Sequence, residues 1–136
     1  MKKILLFSLP VLLIGLTAAY FLYNKPHQKM ENADVDMTVS AFDLFVEFDQ
    51  NEAKANEKYL EKILLVEGKI TDVSTNEEGH VSLTLKSSSD MFGVICQMDQ
   101  LTEHERTDFT VGETVTLKGI CTGMLMDVVL VRCVEV

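Results

Sequence analysis

The side chains best suited to chemistry in this 136-residue chain are its three cysteines, Cys96, Cys121 and Cys133. Cys121 and Cys133 stand at the two ends of CTGMLMDVVLVRC, a segment that predicts a β-hairpin with inward thiols. Buried free cysteines behave as small apolar residues, and this role is favoured. A disulfide between Cys121 and Cys133 is the second interpretation, because thiols on neighbouring strands can bond in an oxidising compartment. A metal or redox centre is the least favoured.

The histidines show no pattern that is typical of a catalytic or metal site. His80 and His104 fall in different predicted loops, His27 stands beside lysines, and HExxH, CxxC and GxSxG patterns do not occur. The segment 77–80 (EEGH) could offer carboxylates and an imidazole to a metal, but a charged turn is the simpler explanation. An acidic run has the spacing of a solvated helix: Asp99, Glu103, Glu105 and Asp108. We therefore predict no catalytic residues, no metal site and no cofactor. An enzyme would need His80 or His104 to converge with a carboxylate in a pocket.

The charge of the chain is −9 and is unevenly distributed. Four lysines and two acidic residues precede residue 36, which leaves eight basic and nineteen acidic residues, and a charge of −11, in the remainder. Such a surface repels nucleic-acid phosphates and anionic lipids. The length suits one domain of about 100 residues with accessory segments.

Ile4–Tyr23 is a run of twenty residues without a charge. At about 1.5 Å per residue, a helix of this length spans about 30 Å, the thickness of the hydrocarbon core of a bilayer. The aromatic residues Tyr20, Phe21 and Tyr23 at its end are typical of a membrane interface. Residues 1–24 are therefore predicted to form an uncleaved membrane anchor.

A cleaved secretory signal is the competing interpretation, with Thr17-Ala18-Ala19 as the cleavage site. No cysteine directly follows the apolar run, which excludes a bacterial lipoprotein anchor. A two-lysine amino terminus normally stays in the cytoplasm, so the rest of the chain is expected outside it. The predicted location is the inner membrane in a single pass, with the soluble part in the periplasm.

Residues 25–36 are polar and contain Pro26, so they are predicted to form a linker. In residues 37–60, apolar side chains recur at helical spacing on one face: Ala41, Leu44, Phe45 and Phe48. Three polar residues are candidate caps of this helix: Asp36, Thr38 and Ser40. Asn51 can cap a second, shorter helix. We expect this helical segment to pack on a nearby core.

From residue 61 to 136 the apolar pattern changes to a period of two, which is typical of strands. Five strands are predicted: ILLVEGKITDV, VSLTLK, MFGVICQM, ETVTLKGIC and DVVLVRCVEV. The predicted inward side chains include Leu64, Val66, Ile70, Val81, Leu83, Leu85, Val94, Leu117, Val129 and Val131. Gly68 and Gly119 permit the sharp bends that a small barrel requires. With a longer helical connection after the third strand, this pattern predicts a mainly β protein, a five-stranded Greek-key OB-fold barrel behind a helical segment and a membrane helix.

Several segments carry a resemblance to a known family: YNKPH after the apolar run, NEAKANEKYLEK, VEGKITDV, and VGETVTLKGICTG followed by DVVLVRC. From Tyr23 to Val136 the chain resembles the bacterial tRNA-anti-like OB-fold family of the Bacteroidetes. The resemblance implies a fold related to anticodon-binding domains and a membrane-anchored location. It implies no activity and no site residues.

OB-folds that bind single-stranded nucleic acid combine a basic groove with exposed aromatic rings. The predicted barrel carries six basic residues against thirteen acidic ones, and its only aromatic residues are Phe92 and Phe109. We therefore expect a non-enzymatic, membrane-anchored, extracytoplasmic module that binds a protein, a peptide or a small polar ligand. A nucleic-acid-binding OB-fold is the alternative, and an envelope enzyme is the second alternative.

Overall fold

The architecture is given by a computed structural model, which describes the backbone of residues 2–23 and 29–136 and, in those ranges, the side chains from residue 10 onward. The predicted linker residues 25–28, with His27, and the side chains of residues 4–9 of the predicted anchor lie outside this description. In chain order the elements are α1 (Lys2–Tyr23), a 3₁₀ helix (Met30–Asn32), β1 (Met37–Ser40), α2 (Ala41–Gln50), α3 (Glu52–Tyr59), β2 (Ile63–Thr75), β3 (Val81–Leu85), β4 (Val94–Met98), β5 (Thr114–Met124) and β6 (Val128–Glu135).

Five of the strands close into a barrel in the order β2-β3-β4-β6-β5, and β5 pairs again with β2. Neighbours in the barrel are antiparallel except β4 and β6, which are parallel. This connectivity is the Greek key of an OB-fold. It confirms the predicted five-stranded barrel and its mainly β class.

Strand β2 has thirteen residues because it serves two neighbours in turn. Ile63–Lys69 pairs with β5, and Ile70–Thr75 pairs with β3 after a shift of register. Gly68 lies just before this change. A Cβ atom added there would stand 2.9 Å from the Cβ of Ala41 and 3.0 Å from the Cβ of Leu85. The glycine therefore permits the close approach of α2 as well as the predicted bend.

Helix α2 packs on the barrel as its apolar spacing predicts. Its four predicted core residues are buried in the same cluster as the inward residues of the strands: Ala41, Leu44, Phe45 and Phe48. Ser40 is the cap, since its hydroxyl accepts a hydrogen bond from the N–H of Asp43 at 3.0 Å. In α3, Asn51 caps the first turn, and Tyr59 is buried with its ring stacked on Phe48.

Strand β1 was not predicted, because its four residues read as the approach to α2. Met37–Ser40 pairs in parallel with Leu64–Glu67 of β2. The N–H of Ile63 donates to the carboxylate of Asp36 at 2.8 Å, and this bond fixes the start of the pairing. Asp36 is therefore a connector between the two strands rather than the cap of the helix.

The last part of the predicted linker is folded onto the barrel. Met30 and Ala33 are buried against Val134 of β6. Lys118 of β5 is 7% exposed, and its ammonium group donates to the carbonyl oxygens of Glu31 at 2.9 Å and Ala33 at 3.0 Å. One of the six basic residues of the barrel therefore serves to hold the chain that leads from α1.

The predicted phase of β6 was wrong. Val129 and Val131 are half-buried, whereas Val128 and Leu130 are fully buried in the core. The cause is a bulge, which shifts the pairing of β6 with both neighbours and places Arg132 at a φ of 54°. The extra residue returns Cys133 to the inward side. Of the three residues predicted to face inward in β6, Val129, Val131 and Cys133, only Cys133 is therefore confirmed.

The connection between β4 and β5 contains no helix, contrary to the prediction. It is an irregular loop held by side chains. The guanidinium of Arg106 bonds to the carboxylates of Glu113 and Glu135, and it lies 4.5 Å from the ring centre of Phe109. Of the acidic run predicted as a solvated helix, Asp99 is buried, while the other three residues are exposed.

Helix α1 is continuous from Lys2 to Tyr23, with Pro10 inside it. Each of its residues from Pro10 to Tyr23 is exposed, so this part of the helix does not contribute to the barrel core. Within the part of the chain that the structure describes, no helix is long and apolar enough to cross a membrane.

All three cysteines are free and fully buried in the core. Cys121 pairs with Leu130, three residues before Cys133, and Cys133 pairs with Met98 of β4. Burial raises the pKa of Cys121 and Cys133, and the neighbouring Cys96 raises the pKa of Cys133 further. The core role is confirmed for each residue, and the Cys121–Cys133 disulfide stays a prediction.

Replacement of Phe45 by alanine should lower the free energy of unfolding by about 3 to 5 kcal/mol, because its ring is 3% exposed in the core. Phe42→Ala on the same helix is the matched control, since Phe42 is 53% exposed. Urea denaturation of the full chain in neutral detergent measures both. Equal stabilities of the two variants would contradict the docking of α2.

Native protein purified without reductant should show no thiol that reacts with an aromatic disulfide reagent at pH 8. Burial hinders access of the reagent to the thiols, and the raised pKa of Cys121 and Cys133 lowers the fraction of each that is present as thiolate. Denaturation should release three reactive thiols. One reactive thiol after denaturation, and three when the protein is reduced before denaturation, would demonstrate a disulfide. Single Cys→Ala variants would then identify the bonded pair.

Candidate functional site

A polar cleft of about 530 Å³ lies on the barrel where the β2–β3 turn, the end of β4 and the bulge of β6 meet. We call it the β3–β4 cleft. Its polar side chains come from all of these elements: Asn76, His80, Ser82, Gln97, Asp99, Gln100 and Arg132. Val81, Met98, Leu101 and Val131 supply apolar lining. The volume falls within the range of small-molecule sites, about 300 to 1,000 Å³.

The β2–β3 turn is built around the side chain of Asn76. Its carbonyl oxygen accepts hydrogen bonds from the N–H groups of Glu78 at 3.0 Å and His80 at 2.9 Å. Gly79 adopts a φ of 84°, a conformation that glycine takes without strain. The predicted turn is confirmed, and it places His80 in the lining of the cleft.

Three side chains surround Nδ1 of the His80 ring. Because the carbonyl oxygen of Asn76 faces the backbone, its amide NH₂ faces Nδ1 of His80, at 3.3 Å. The amide nitrogen of Gln100, from the opposite loop, lies 3.0 Å from the same Nδ1. The carboxylate of Glu78 lies 3.3 Å from it. These contacts hold the ring in place and leave Nε2 directed away from them.

Asp99 and Arg132 form the floor of the cleft. The Asp99 side chain is only 4% exposed, and its carboxylate accepts hydrogen bonds from the hydroxyl of Thr102 at 2.7 Å and the N–H of Leu101 at 3.4 Å. The guanidinium of Arg132 lies 3.7 Å from it. The N–H of Asp99 donates to the carbonyl oxygen of Cys133, so the ion pair is tied to the bulge of β6. The two charges compensate each other within the cleft.

A smaller cavity of about 180 Å³ adjoins the cleft and brings His80, His104 and Asp99 together. The two histidines were predicted in separate loops, and an enzyme was expected to need one of them beside a carboxylate in a pocket. Nε2 of His104 donates to the carbonyl oxygen of Asp99 at 2.6 Å rather than to its carboxylate. In the ranges described, neither histidine has a hydrogen bond to a serine, threonine or cysteine, and no group of three metal-ligating side chains occurs.

The outer face of β3 and β4 is polar and lacks aromatic rings. Ser82 pairs with Gln97 and Thr84 with Ile95, and all four side chains point outward as predicted. The two aromatic residues of the barrel are not exposed, because Phe92 is half-buried and Phe109 is buried under Arg106.

Two polar residues of the cleft, His80 and Asp99, were singled out in the sequence, as was His104 of the adjoining cavity. The carboxamides and Arg132 were missed, because asparagine, glutamine and arginine at surface positions carry no pattern that distinguishes a site from a solvated surface. The cleft lining does not include Cys121 or Cys133, the candidate disulfide residues.

A crystal structure from Klebsiella pneumoniae subsp. pneumoniae MGH 78578 is similar to this chain, with a TM-score of 0.57 and 17% sequence identity. The similarity covers 73% of this chain and 92% of that one, a "putative nucleic acid-binding lipoprotein". At this identity the likeness supports the fold alone. No curated protein matches the chain.

The tRNA_anti-like family model matches residues 1–135, nearly the whole chain. The match agrees with the barrel topology and with the resemblance in the sequence. This protein belongs to the tRNA_anti-like family.

Proposed function

We propose that this protein is a membrane-anchored, extracytoplasmic OB-fold module that binds a ligand in the β3–β4 cleft. The observation that carries the proposal is the cleft itself, in which two loops are held in position by hydrogen bonds within the protein. It lies on the second and third barrel strands beside the first loop, the usual binding face of OB-folds. A polar lining with ordered donors and acceptors suits a peptide or a small polar ligand.

Binding without catalysis is the function that the polar contacts favour. A general base needs a proton to abstract from a nucleophile or substrate within reach. In the described part of the chain, His80 contacts amides and a surface glutamate, and His104 contacts a backbone carbonyl. The Asp99 carboxylate is occupied by Thr102 and Arg132. These contacts position the loops and leave no nucleophile–base pair.

Nucleic-acid binding is the alternative, favoured by the description of the similar Klebsiella lipoprotein. The charges of this chain oppose it. Of the six basic residues of the barrel, Arg106 is held by two glutamates, Lys118 is buried under two carbonyl groups, and Arg132 faces Asp99. With no exposed ring on the barrel, the stacking that usually strengthens single-strand binding is missing as well.

The anchor is supported by the apolar run Ile4–Tyr23 and by its surroundings. Helix α1 leaves large apolar side chains more than half exposed, including Val11, Ile14 and Phe21. Between Pro10 and Tyr23 every residue is exposed, and a lipid bilayer would cover these apolar side chains. The similar Klebsiella protein is described as a lipoprotein, which is also an envelope-associated class.

Full-length protein in neutral detergent should bind mixed-sequence single-stranded DNA and RNA more weakly than about 10⁻⁴ M at about 150 mM salt, the weak end of non-specific binding. Fluorescence anisotropy across a salt series measures this. A Glu103→Lys/Glu105→Lys variant is the comparison, since both residues are exposed in the acidic loop and reversal of their charge should raise the affinity at low salt. Micromolar affinity of the unmodified protein that weakens steeply with salt would show that the charge argument is wrong.

In bacterial cells the full-length protein should remain with membranes after alkaline extraction, and protease added outside the inner membrane should digest the barrel. Ile14→Lys should reduce membrane integration, since a lysine at the centre of a spanning helix costs about 2.5 to 3.5 kcal/mol. Ile14→Leu is the matched control. A mature protein that begins at Tyr20 would identify the segment as a cleaved signal instead.

A further inference from the structure

The ionised groups that line the β3–β4 cleft balance one another. Asp99 and Arg132 form an ion pair within it, with 3.7 Å between the carboxylate and the guanidinium. An anionic ligand would have to compete with Asp99 for Arg132, and a cationic ligand would compete with Arg132 for Asp99. Loss of Arg132 would leave the Asp99 carboxylate, whose side chain is 4% exposed, without its counter-charge, which is costly. A cation at Asp99 would meet the like charge of Arg132, whose guanidinium lies 3.7 Å away. The cleft therefore favours a ligand without charge.

The remaining polar groups can both donate and accept hydrogen bonds. Gln97 and Gln100 are exposed carboxamides, and Ser82 offers a hydroxyl group. Nε2 of His80 has no partner among the residues that the structure describes, so it is open to a hydroxyl group of a ligand, which can either donate or accept. A ligand that satisfies this set must itself carry groups that donate and accept at adjacent positions. Vicinal hydroxyl groups of a sugar do so.

Extended peptides usually add as a strand to a free sheet edge. That mode is closed at the cleft, because β4 is paired with β3 on one side and with β6 on the other. Recognition there must depend on side chains, with the apolar lining from Val81, Met98 and Val131 available to the less polar faces of a ligand. A sugar ring presents both kinds of surface, hydroxyl edges and C–H faces.

We propose that the β3–β4 cleft binds an uncharged oligosaccharide, with the hydroxyl groups held by Gln97, Gln100 and Ser82 and by Nε2 of His80. This assignment rests on the proposed binding function and adds the class of ligand. It accounts for a ligand site in a strongly acidic protein, because an uncharged ligand is not repelled.

The test is a titration of isotopically labelled full-length protein, in nanodiscs of zwitterionic lipid, with maltotriose, cellotriose and chitotriose. Amide NMR signals report on each residue, including the side-chain NH₂ groups of Asn76, Gln97 and Gln100. At least one trisaccharide should shift the cleft signals with an affinity that is unchanged between low and high salt. Gln100→Ala should weaken that binding by about fivefold, the effect of one hydrogen bond. Gln50→Ala, the same exchange at an exposed position of α2, should leave it unchanged.

Absence of shifts with all three trisaccharides would overturn the assignment, and so would equal effects of Gln100→Ala and Gln50→Ala. Trialanine and trigalacturonate, titrated in parallel, separate this outcome from failure of the proposed function. If either of them shifts the cleft signals while the uncharged sugars do not, the class of ligand is wrong and the binding module stands. If only oligonucleotides bind, and the cleft signals stay unchanged, both proposals are wrong.

Discussion

The structure depends on one constraint, that β2 must pair with β5 along its first half and with β3 along its second. A small barrel closes only if one strand turns sharply between two neighbours, and here the turn falls next to Gly68. The missing side chain leaves room for Ala41, so the same position closes the barrel and docks α2. The far end of β2 leads into the turn at Asn76, and the place of the cleft follows from the course of this strand.

Half of the six cationic side chains of the barrel are engaged in contacts within the protein, and the other half, Lys62, Lys69 and Lys86, are exposed. Lys118 holds the linker through two carbonyl groups, Arg106 joins the β4–β5 loop to Glu113 and Glu135, and Arg132 faces the buried Asp99. Such contacts stabilise loops that have little apolar surface of their own. They also neutralise half of the basic residues of the barrel, and the three exposed lysines that remain face thirteen acidic residues, so the barrel offers little to phosphate groups.

The docked linker also limits where the barrel can be. Met30 is buried against the barrel, and α1 ends at Tyr23, seven residues earlier in the chain. A fully extended chain of seven residues spans at most about 25 Å. If α1 is an anchor, as proposed, the point at which the linker docks on the barrel lies within this distance of the end of α1.

The sequence by itself determined the elements whose pattern is local. The period of two predicted the five barrel strands, and the helical spacing of Ala41, Leu44, Phe45 and Phe48 predicted the face of α2 that packs on them. Alternation predicted the burial of Cys96 and Cys121, whereas Cys133 is inward because of the bulge in β6. Tertiary structure decided what depends on residues far apart in the chain. The bulge at Arg132 reverses the phase of β6 because β4 and β5 impose the pairing. The β1 pairing is fixed by Asp36 and Ile63, and the burial of Lys118 is fixed by carbonyl groups more than eighty residues away. The cleft belongs to this second group, since Asn76, Gln100 and Arg132 acquire a common role only when barrel closure brings two loops and a strand together.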